Sequence, residues 1–98
     1  MYFITCFEQY GKDNLGWINI GAARTFGYYK DKDVALEAVN KNWCDIQERL
    51  YRYAVVEYIE EGLYNPATER WFFEWDEEEH EFVPIKPLID NQGNYAFG

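Results

Sequence analysis

The chain has 98 residues, of which 48% are hydrophobic and 20% aromatic, and its formal net charge is −9. This length supports a single domain, 1–98, with one modest core, and the apolar content argues against a disordered chain. No apolar run approaches the ~20 residues of a membrane-spanning helix, and the first residues lack the pattern of a signal peptide. We therefore expect a cytoplasmic protein with no membrane contact.

Two strands are predicted before the helix. Residues 2–8 (YFITCFE) are mostly β-branched and aromatic, which is typical of a strand covered on both faces. A turn-forming stretch follows, and residues 17–29 then have the composition of extended chain, with the main strand near 22–29. Glycine inside such a segment indicates a bend or a bulge, which we expect at Gly21 and Gly27.

The clearest helix is predicted within residues 30–50. Its apolar residues recur at spacings of three and four, which places them along one stripe of a helix. The stripe consists of Leu36, Val39, Trp43, Ile46 and Leu50. Asp31 or Asp33 can cap the N-terminus of this helix, where a carboxylate also suits the helix dipole.

Three strands are predicted after the helix. Residues 51–59 are apolar in both alternating sets, which favours a central strand. Residues 70–85 predict a hairpin with an acidic tip, and Pro84 and Pro87 indicate either an edge position for its second strand or an exit from the sheet. Residues 90–98 indicate a turn followed by at most a short strand. The order β-β-α-β-β-β predicts an α+β domain, with one helix packed on a mostly antiparallel sheet.

Residue content excludes several catalytic classes. The chain has no serine, and its single histidine, His80, cannot form a two-histidine metal site. A phosphate-binding glycine loop is also absent from the sequence. Cys6 and Cys44 are far apart, and we expect two buried, reduced thiols that do not pair with His80. We therefore expect a protein that is not an enzyme and has no catalytic residue, cofactor or metal site.

The negative charge is concentrated in one segment. Residues 57–81 contain ten acidic residues and one basic residue, Arg70, a balance of −9, while the rest of the chain is neutral overall. Phosphate binding needs a basic footprint, so we expect no direct binding of DNA or RNA. A protein partner with a basic surface is compatible with this charge, and so is simple solubility.

The hairpin sequence WFFEWDEEEHEF, residues 71–82, is the first candidate site. An alternating aromatic face is more often core than contact surface, so we expect Trp71, Phe73 and Trp75 to face inward and the acids to form a solvated turn. The alternative is a protein-binding edge, because aromatic residues anchor interfaces and acids steer basic partners. In that interpretation the partner-binding residues are Glu74, Trp75, Asp76, Glu77, Glu78, Glu79 and Glu81.

A second candidate site lies within ARTFGYYKDKD, residues 23–33. Its simpler interpretation is a strand and a helix entry, with Arg24 pairing an acid across the sheet. The alternative is a pocket for a nucleotide or a small anion, in which Tyr28 and Tyr29 stack on a base and Arg24 holds a phosphate. Arg52 joins this pocket only if it converges with Arg24 in space.

Five stretches of the chain carry a family resemblance: YFITCFE, GAARTFGYYKDKDVALEAV, YRYAVVEYIEEGLY, RWFFEW and NYAFG. With them the chain resembles, over nearly its whole length, a family of small uncharacterised acidic proteins of gut Firmicutes and of their phages and mobile elements. The resemblance implies a setting in which small accessory proteins bind and inhibit host factors, including immune effectors such as CRISPR nucleases, or sequester nucleotide signals. It implies no role for any single residue.

Three functional hypotheses follow from these patterns. The first is a non-enzymatic binding protein that inhibits a host defence protein or a nucleic-acid-handling protein, which it contacts through its acidic aromatic surface. The second is a sponge for a nucleotide or cyclic nucleotide that blocks host immune signalling, and for this function we expect a homo-oligomer. The third and least favoured hypothesis is a metal-dependent hydrolase that uses its carboxylates.

Overall fold

The computed structural model describes residues 1–12, 14–88 and 94–96, which form one α-helix and seven strands. The elements are β1 (Tyr2–Phe7), β2 (Gly11–Lys12), β3 (Ile18–Asn19), β4 (Ala23–Tyr29), α1 (Lys32–Asn40), a short 3-10 helix (Trp43–Asp45), β5 (Tyr53–Tyr58), β6 (Glu69–Asp76) and β7 (Glu81–Ile85). Apart from the two-residue strands β2 and β3, this is the predicted β-β-α-β-β-β order. The α+β class is therefore confirmed.

The main sheet is antiparallel and has five strands in the order β4-β1-β5-β6-β7. β2 and β3 pair in a separate two-stranded ribbon. β5 takes the central position that its composition predicts, and Ala54, Val55 and Val56 are fully buried there. Consecutive residues of a strand point to opposite faces, so three buried neighbours require cover on both sides of the sheet.

Each face of the main sheet has its own apolar core. The helix face, which lies beneath α1, includes Ile4, Cys6, Val56, Phe73 and Phe82. The opposite face, which we call the loop face, includes Phe7, Val55, Phe72 and Tyr95, with Tyr10, Ile20 and Leu88 packed against them. β1 contributes side chains to both cores, which confirms that it is covered on both faces.

α1 begins at a predicted cap. Asp31 Oδ1 accepts hydrogen bonds from the backbone N–H of Asp33 at 2.8 Å and of Val34 at 3.2 Å. These bonds satisfy donors that cannot be paired within the first helical turn. The side chains that the helix buries are Ala35, Ala38 and Val39.

The helix ends at Asn40, well before residue 50. The side-chain amide of Asn40 donates to the backbone oxygen of Phe82 at 2.9 Å, which ties this end of the helix to the sheet. Asn42 then takes a left-handed conformation with φ of 53°. Asparagine tolerates this conformation, and Asn42 Oδ1 accepts the N–H of Gln47 at 2.9 Å. Local hydrogen bonds of asparagine thus replace the helical ones.

The predicted apolar stripe is wrong beyond Val39. Ile46 is buried, but Trp43 and Leu50 are 40% and 47% exposed. The chain in this region contains further residues with positive φ, which are Cys44, Asp45, Glu48 and Arg49. Spacings of three and four place side chains on one face only in a continuous helix, so the pattern loses its meaning after residue 40.

The predicted hairpin is confirmed as β6 and β7, joined by a turn at residues 77–80. Asp76 Oδ1 accepts the N–H of Glu78 at 2.9 Å and the N–H of Glu79 at 3.3 Å. This side-chain cap on the turn is a common use of aspartate, and it fixes the conformation of the tip.

Both edges of the main sheet are irregular. β7 contains Pro84, and its edge position is the one that the sequence predicts. On β4, Thr25 pairs with Thr5 while Gly27 pairs with Ile4, so Phe26 is the extra residue of a bulge. The bulge lies beside the predicted Gly27.

The two cysteines are both free but have different environments. Cys6 is fully buried as predicted, and desolvation, together with the charge of Glu48, raises the pKa of its thiol to about 12. Cys44 is exposed, so the prediction that it is buried is wrong. The cause is the early end of α1, because Cys44 lies in the irregular chain that follows the helix.

Two further predictions concern the ends of the chain and the membrane. The turn and short strand predicted at residues 90–98 fall mostly outside the described residues, and residues 94–96 form no strand. No helix within the described ranges has both the length and the apolar character needed to cross a membrane.

Candidate binding surfaces

Three of the predicted partner-binding carboxylates are engaged within the protein. Glu74 Oε2 lies 2.7 Å from Arg52 Nη2 and accepts the Arg52 Nε–H at 2.8 Å, a hydrogen bond that raises the pKa of the guanidinium. Glu81 Oε2 lies 3.5 Å from Lys41 Nζ. Asp76 caps the hairpin turn. A new partner would have to compete for these three carboxylates.

Trp75, also predicted at the partner surface, contributes mainly to the core. Its ring lies edge-on to Phe82 with 5.1 Å between centroids, and it packs against the helix-face core as Trp71 does. Phe73, between the two tryptophans in sequence, is 3% exposed. The alternating aromatic face of β6 is therefore directed inward, as the simpler interpretation of the hairpin predicts.

The remaining predicted acids form the acidic tip, which consists of Glu77, Glu78 and Glu79. All three are exposed. No ion pair within the described part of the chain involves their carboxylates. Like charges on neighbouring residues repel each other, and a bound cation relieves that repulsion. The acidic tip is thus the part of the predicted surface that is available to a basic partner.

A concave surface of about 540 Å³ adjoins the acidic tip. It is lined by Asn42, Asp45, Gln47, Arg49, Trp75, Glu77 and His80. The His80 ring lies 6.4 Å from the Trp75 ring, measured between centroids. The irregular chain after α1 therefore forms one wall of this cavity, and the hairpin forms the other.

The acidic segment 57–81 does not form one surface. Glu57 is fully buried, and Glu60, Glu61 and Glu69 lie at the end of the sheet away from the tip. β6 runs from Glu69 to Asp76, which separates the two exposed groups by about 23 Å at 3.3 Å per residue. Exposed acidic residues that belong to one segment of the sequence therefore lie at two ends of the molecule.

The four residues of the predicted nucleotide pocket do not share one site. Arg24 pairs with Cys6 on the helix face, whereas Tyr28 pairs with Phe3, whose position on β1 places it on the loop face. Arg24 Nη1 lies 2.9 Å from Glu48 Oε2. Arg24 therefore pairs with an acid as the simpler interpretation expects, but that acid lies in the chain before β5 and not across the sheet.

The other two residues of that pocket have separate contacts. The Tyr29 ring lies edge-on to Trp43, with 6.3 Å between centroids. Arg52 is bound to Glu74, a different acid from the one that pairs with Arg24. Tyr28 and Tyr29 both line a cavity of about 290 Å³, but Arg24 and Arg52 are not part of its lining. The nucleotide hypothesis stays a prediction.

The buried environment of one residue, Glu57, was not predicted from the sequence. Glu57 is 0% exposed, and its carboxylate accepts three hydrogen bonds: from Arg70 Nε at 2.9 Å, from the Tyr95 N–H at 2.9 Å and from the Ala96 N–H at 2.7 Å. It thereby joins the centre of the sheet to residues 94–96. The available signal was a single charge inside the apolar run AVVEYI.

The described residues contain no group of three or more histidine, cysteine, aspartate or glutamate side chains arranged to hold a metal ion. Comparisons with protein-family models, with curated proteins and with solved structures return no match to this chain. The geometry of the chain itself is therefore what points to a function.

Proposed function

We propose that this chain is a non-enzymatic cytoplasmic binding protein whose acidic tip contacts a basic surface on a protein partner. The observation that carries the proposal is the exposure of three consecutive carboxylates, Glu77, Glu78 and Glu79, that enter no ion pair within the described residues. The neighbouring acids Glu74 and Glu81 are paired with bases of the chain itself.

Preorganisation of the tip supports this proposal. Asp76 caps the turn, and the Trp75 ring packs on Phe82 directly behind it. A loop that is already ordered loses little conformational entropy when a partner binds, so more of the interaction energy appears as affinity. Carboxylates at such a site also increase the rate of association with a basic partner.

The class of partner follows from the chemistry of carboxylates. Proteins that handle nucleic acid present basic grooves that hold phosphates, and closely spaced carboxylates can occupy the same positions. The resemblance to acidic proteins of phages and mobile elements is compatible with a host defence protein as the partner. We propose that occupation of the groove inhibits such a protein by competing with its nucleic acid.

The test compares two matched charge reversals. The full chain, the tip variant E78K/E79K and the control variant E37K/E69K are used to capture proteins from a host lysate. Both variants change the net charge equally, and all four positions are exposed. The captured protein should be lost with the tip variant, retained with the control, and released by salt, which screens exposed charges.

A second step tests inhibition. The captured protein is assayed for nucleic-acid binding with and without the full chain, and the chain should compete with DNA or RNA. Equal capture by the tip variant and the full chain would show that the tip is not the contact surface. Capture without any competition would refute the inhibitory mechanism.

A further inference from the structure

A second cavity of about 540 Å³ lies at the end of the sheet away from the acidic tip. It is formed by the start of β1, the loop after β5 and the segment 94–96, and its lining includes Phe3, Tyr28, Glu60, Glu61, Tyr64 and Asn94. The nucleotide hypothesis includes Tyr28 from this lining, and the other functions considered above use no residue of the cavity. Its residues combine aromatic rings with carboxylates, a pairing that favours cations.

Aromatic rings form the apolar part of the lining. The rings of Phe3 and Tyr28 lie 5.2 Å apart between centroids, and Tyr28 is 54% exposed. Tyr64 is fully exposed, and Leu63 beside it is 88% exposed. The face of an aromatic ring carries partial negative charge, so a ring that borders a cavity attracts a cation placed over it.

Carboxylates form the charged part of the lining. Glu60 and Glu61 are both exposed and both line the cavity. The Met1 ammonium also lies in the lining, where it donates to the backbone oxygen of Ile59 at 3.0 Å. Among the described residues of the lining, the formal charges sum to −1. An anionic ligand such as a nucleotide phosphate is disfavoured by both carboxylates, whereas a cation is favoured.

The loop that carries these groups is held in place before any ligand binds. The Asn65 side-chain amide donates to the backbone oxygens of Glu60 at 3.2 Å and Glu61 at 2.9 Å. The Asn94 amide in turn donates to the Asn65 oxygen at 2.9 Å. Gly62 has φ of +133°, and a Cβ there would lie 2.8 Å from Asn65 Nδ2. The loop therefore requires glycine at this position.

We propose that this cavity binds the side chain of an arginine residue presented by a peptide or protein. A guanidinium is flat, so it can stack on a ring face such as that of Tyr28 while its N–H groups donate to the carboxylates of Glu60 and Glu61. This inference does not depend on the proposed function of the acidic tip, because the two surfaces share no residue and lie at opposite ends of β6.

The binding test titrates the full, untagged chain with the tripeptide Gly-Arg-Gly, whose two termini are blocked, and binding is measured from the amide signals in NMR spectra. Signals of residues 59–65 should shift and saturate with a dissociation constant on the order of 1 mM, the affinity expected of a ligand with few contacts. The matched ligand contains citrulline, which has the shape of arginine without its charge. It should bind about tenfold more weakly or not at all.

Substitutions at the lining residues test whether the tripeptide binds in this cavity. E60Q/E61Q should weaken binding of the arginine tripeptide about tenfold, and the matched variant E78Q/E79Q at the acidic tip should leave it unchanged. Tyr64→Ala should also weaken binding, whereas Tyr64→Phe should retain it because the ring face is kept.

Three outcomes would overturn the inference. These are equal binding of the citrulline tripeptide, unchanged binding to E60Q/E61Q, and shifts confined to residues 77–80. The NMR spectrum of each variant shows directly whether it is folded, and the substituted positions are exposed, so loss of fold cannot be mistaken for loss of the site.

Discussion

Replacement of Glu57 by alanine is expected to destabilise the protein by about 3–5 kcal/mol, the usual cost of leaving one partner of a buried ion pair without the other. The carboxylate is fully buried and accepts hydrogen bonds from Arg70, Tyr95 and Ala96. Its removal takes away the acceptor of the Arg70 Nε–H and of the backbone N–H groups of Tyr95 and Ala96 on the loop face.

The magnitude follows from these contacts. Hydrogen bonds to a charged group contribute about 1.5–3 kcal/mol each, so three of them set an upper limit of about 9 kcal/mol. The side chain of Arg70 is 23% exposed and recovers some hydration when the carboxylate is lost, which lowers the cost. A loss of about 3–5 kcal/mol is a large part of the 5–15 kcal/mol that stabilises a typical domain.

Urea denaturation followed by tryptophan fluorescence measures this loss as a difference in unfolding free energy. The matched control is Glu74→Ala, because Glu74 also pairs with an arginine but at the surface, where the side chains of Glu74 and Arg52 are 31% and 66% exposed. Exposed pairs contribute at most about 1 kcal/mol. If the two variants lost equal stability, the central role assigned to the Glu57 carboxylate would be refuted.

Two further predictions concern the helix cap and the thiols. Asp31→Ala should reduce the unfolding free energy by about 1 kcal/mol, because the N–H groups of the first helical turn lose their acceptor. Asp33→Ala should reduce it by only a few tenths of a kcal/mol. Equal effects of the two substitutions would contradict the assignment of Asp31 as the cap. A maleimide at neutral pH should modify one thiol of the folded chain and two thiols after denaturation. The reason is that Cys44 is exposed, while burial raises the pKa of Cys6 to about 12. Mass spectrometry locates the label, and a label on Cys6 in the folded chain would contradict this prediction.

The fold was predictable wherever the decisive interactions are local. The apolar character of both alternating sets within residues 51–59 identified the central strand, and the turn-forming acids after Trp75 identified the hairpin. The end of α1 was harder to predict, because it combines the left-handed conformation of Asn42 with a hydrogen bond from the Asn40 amide to the backbone oxygen of Phe82, 42 positions away in sequence. The apolar spacing continued past the helix and was therefore misleading.

The candidate surfaces also combine features that depend on local sequence with features that depend on distant residues. The acids at 77–79 were identified directly from sequence, since an acidic turn between two strands is exposed in most arrangements. The sequence could not show that Glu74 and Glu81 are paired with Arg52 and Lys41, because Lys41 lies in the predicted helix, Arg52 lies in the predicted central strand, and the packing of these elements against the hairpin depends on contacts between distant residues. The burial of Glu57 likewise depends on residues 94–96, which are distant in sequence.

The irregular edges of the main sheet have a consequence for the behaviour of the chain at high concentration. A sheet edge with a regular row of free N–H and C=O groups is a template on which further strands add, and this is how cross-β aggregates grow. Pro84 removes a donor from one edge, and the bulge at Phe26 distorts the other. Both features oppose the addition of further strands, and we expect them to disfavour fibril formation in a chain with 20% aromatic residues.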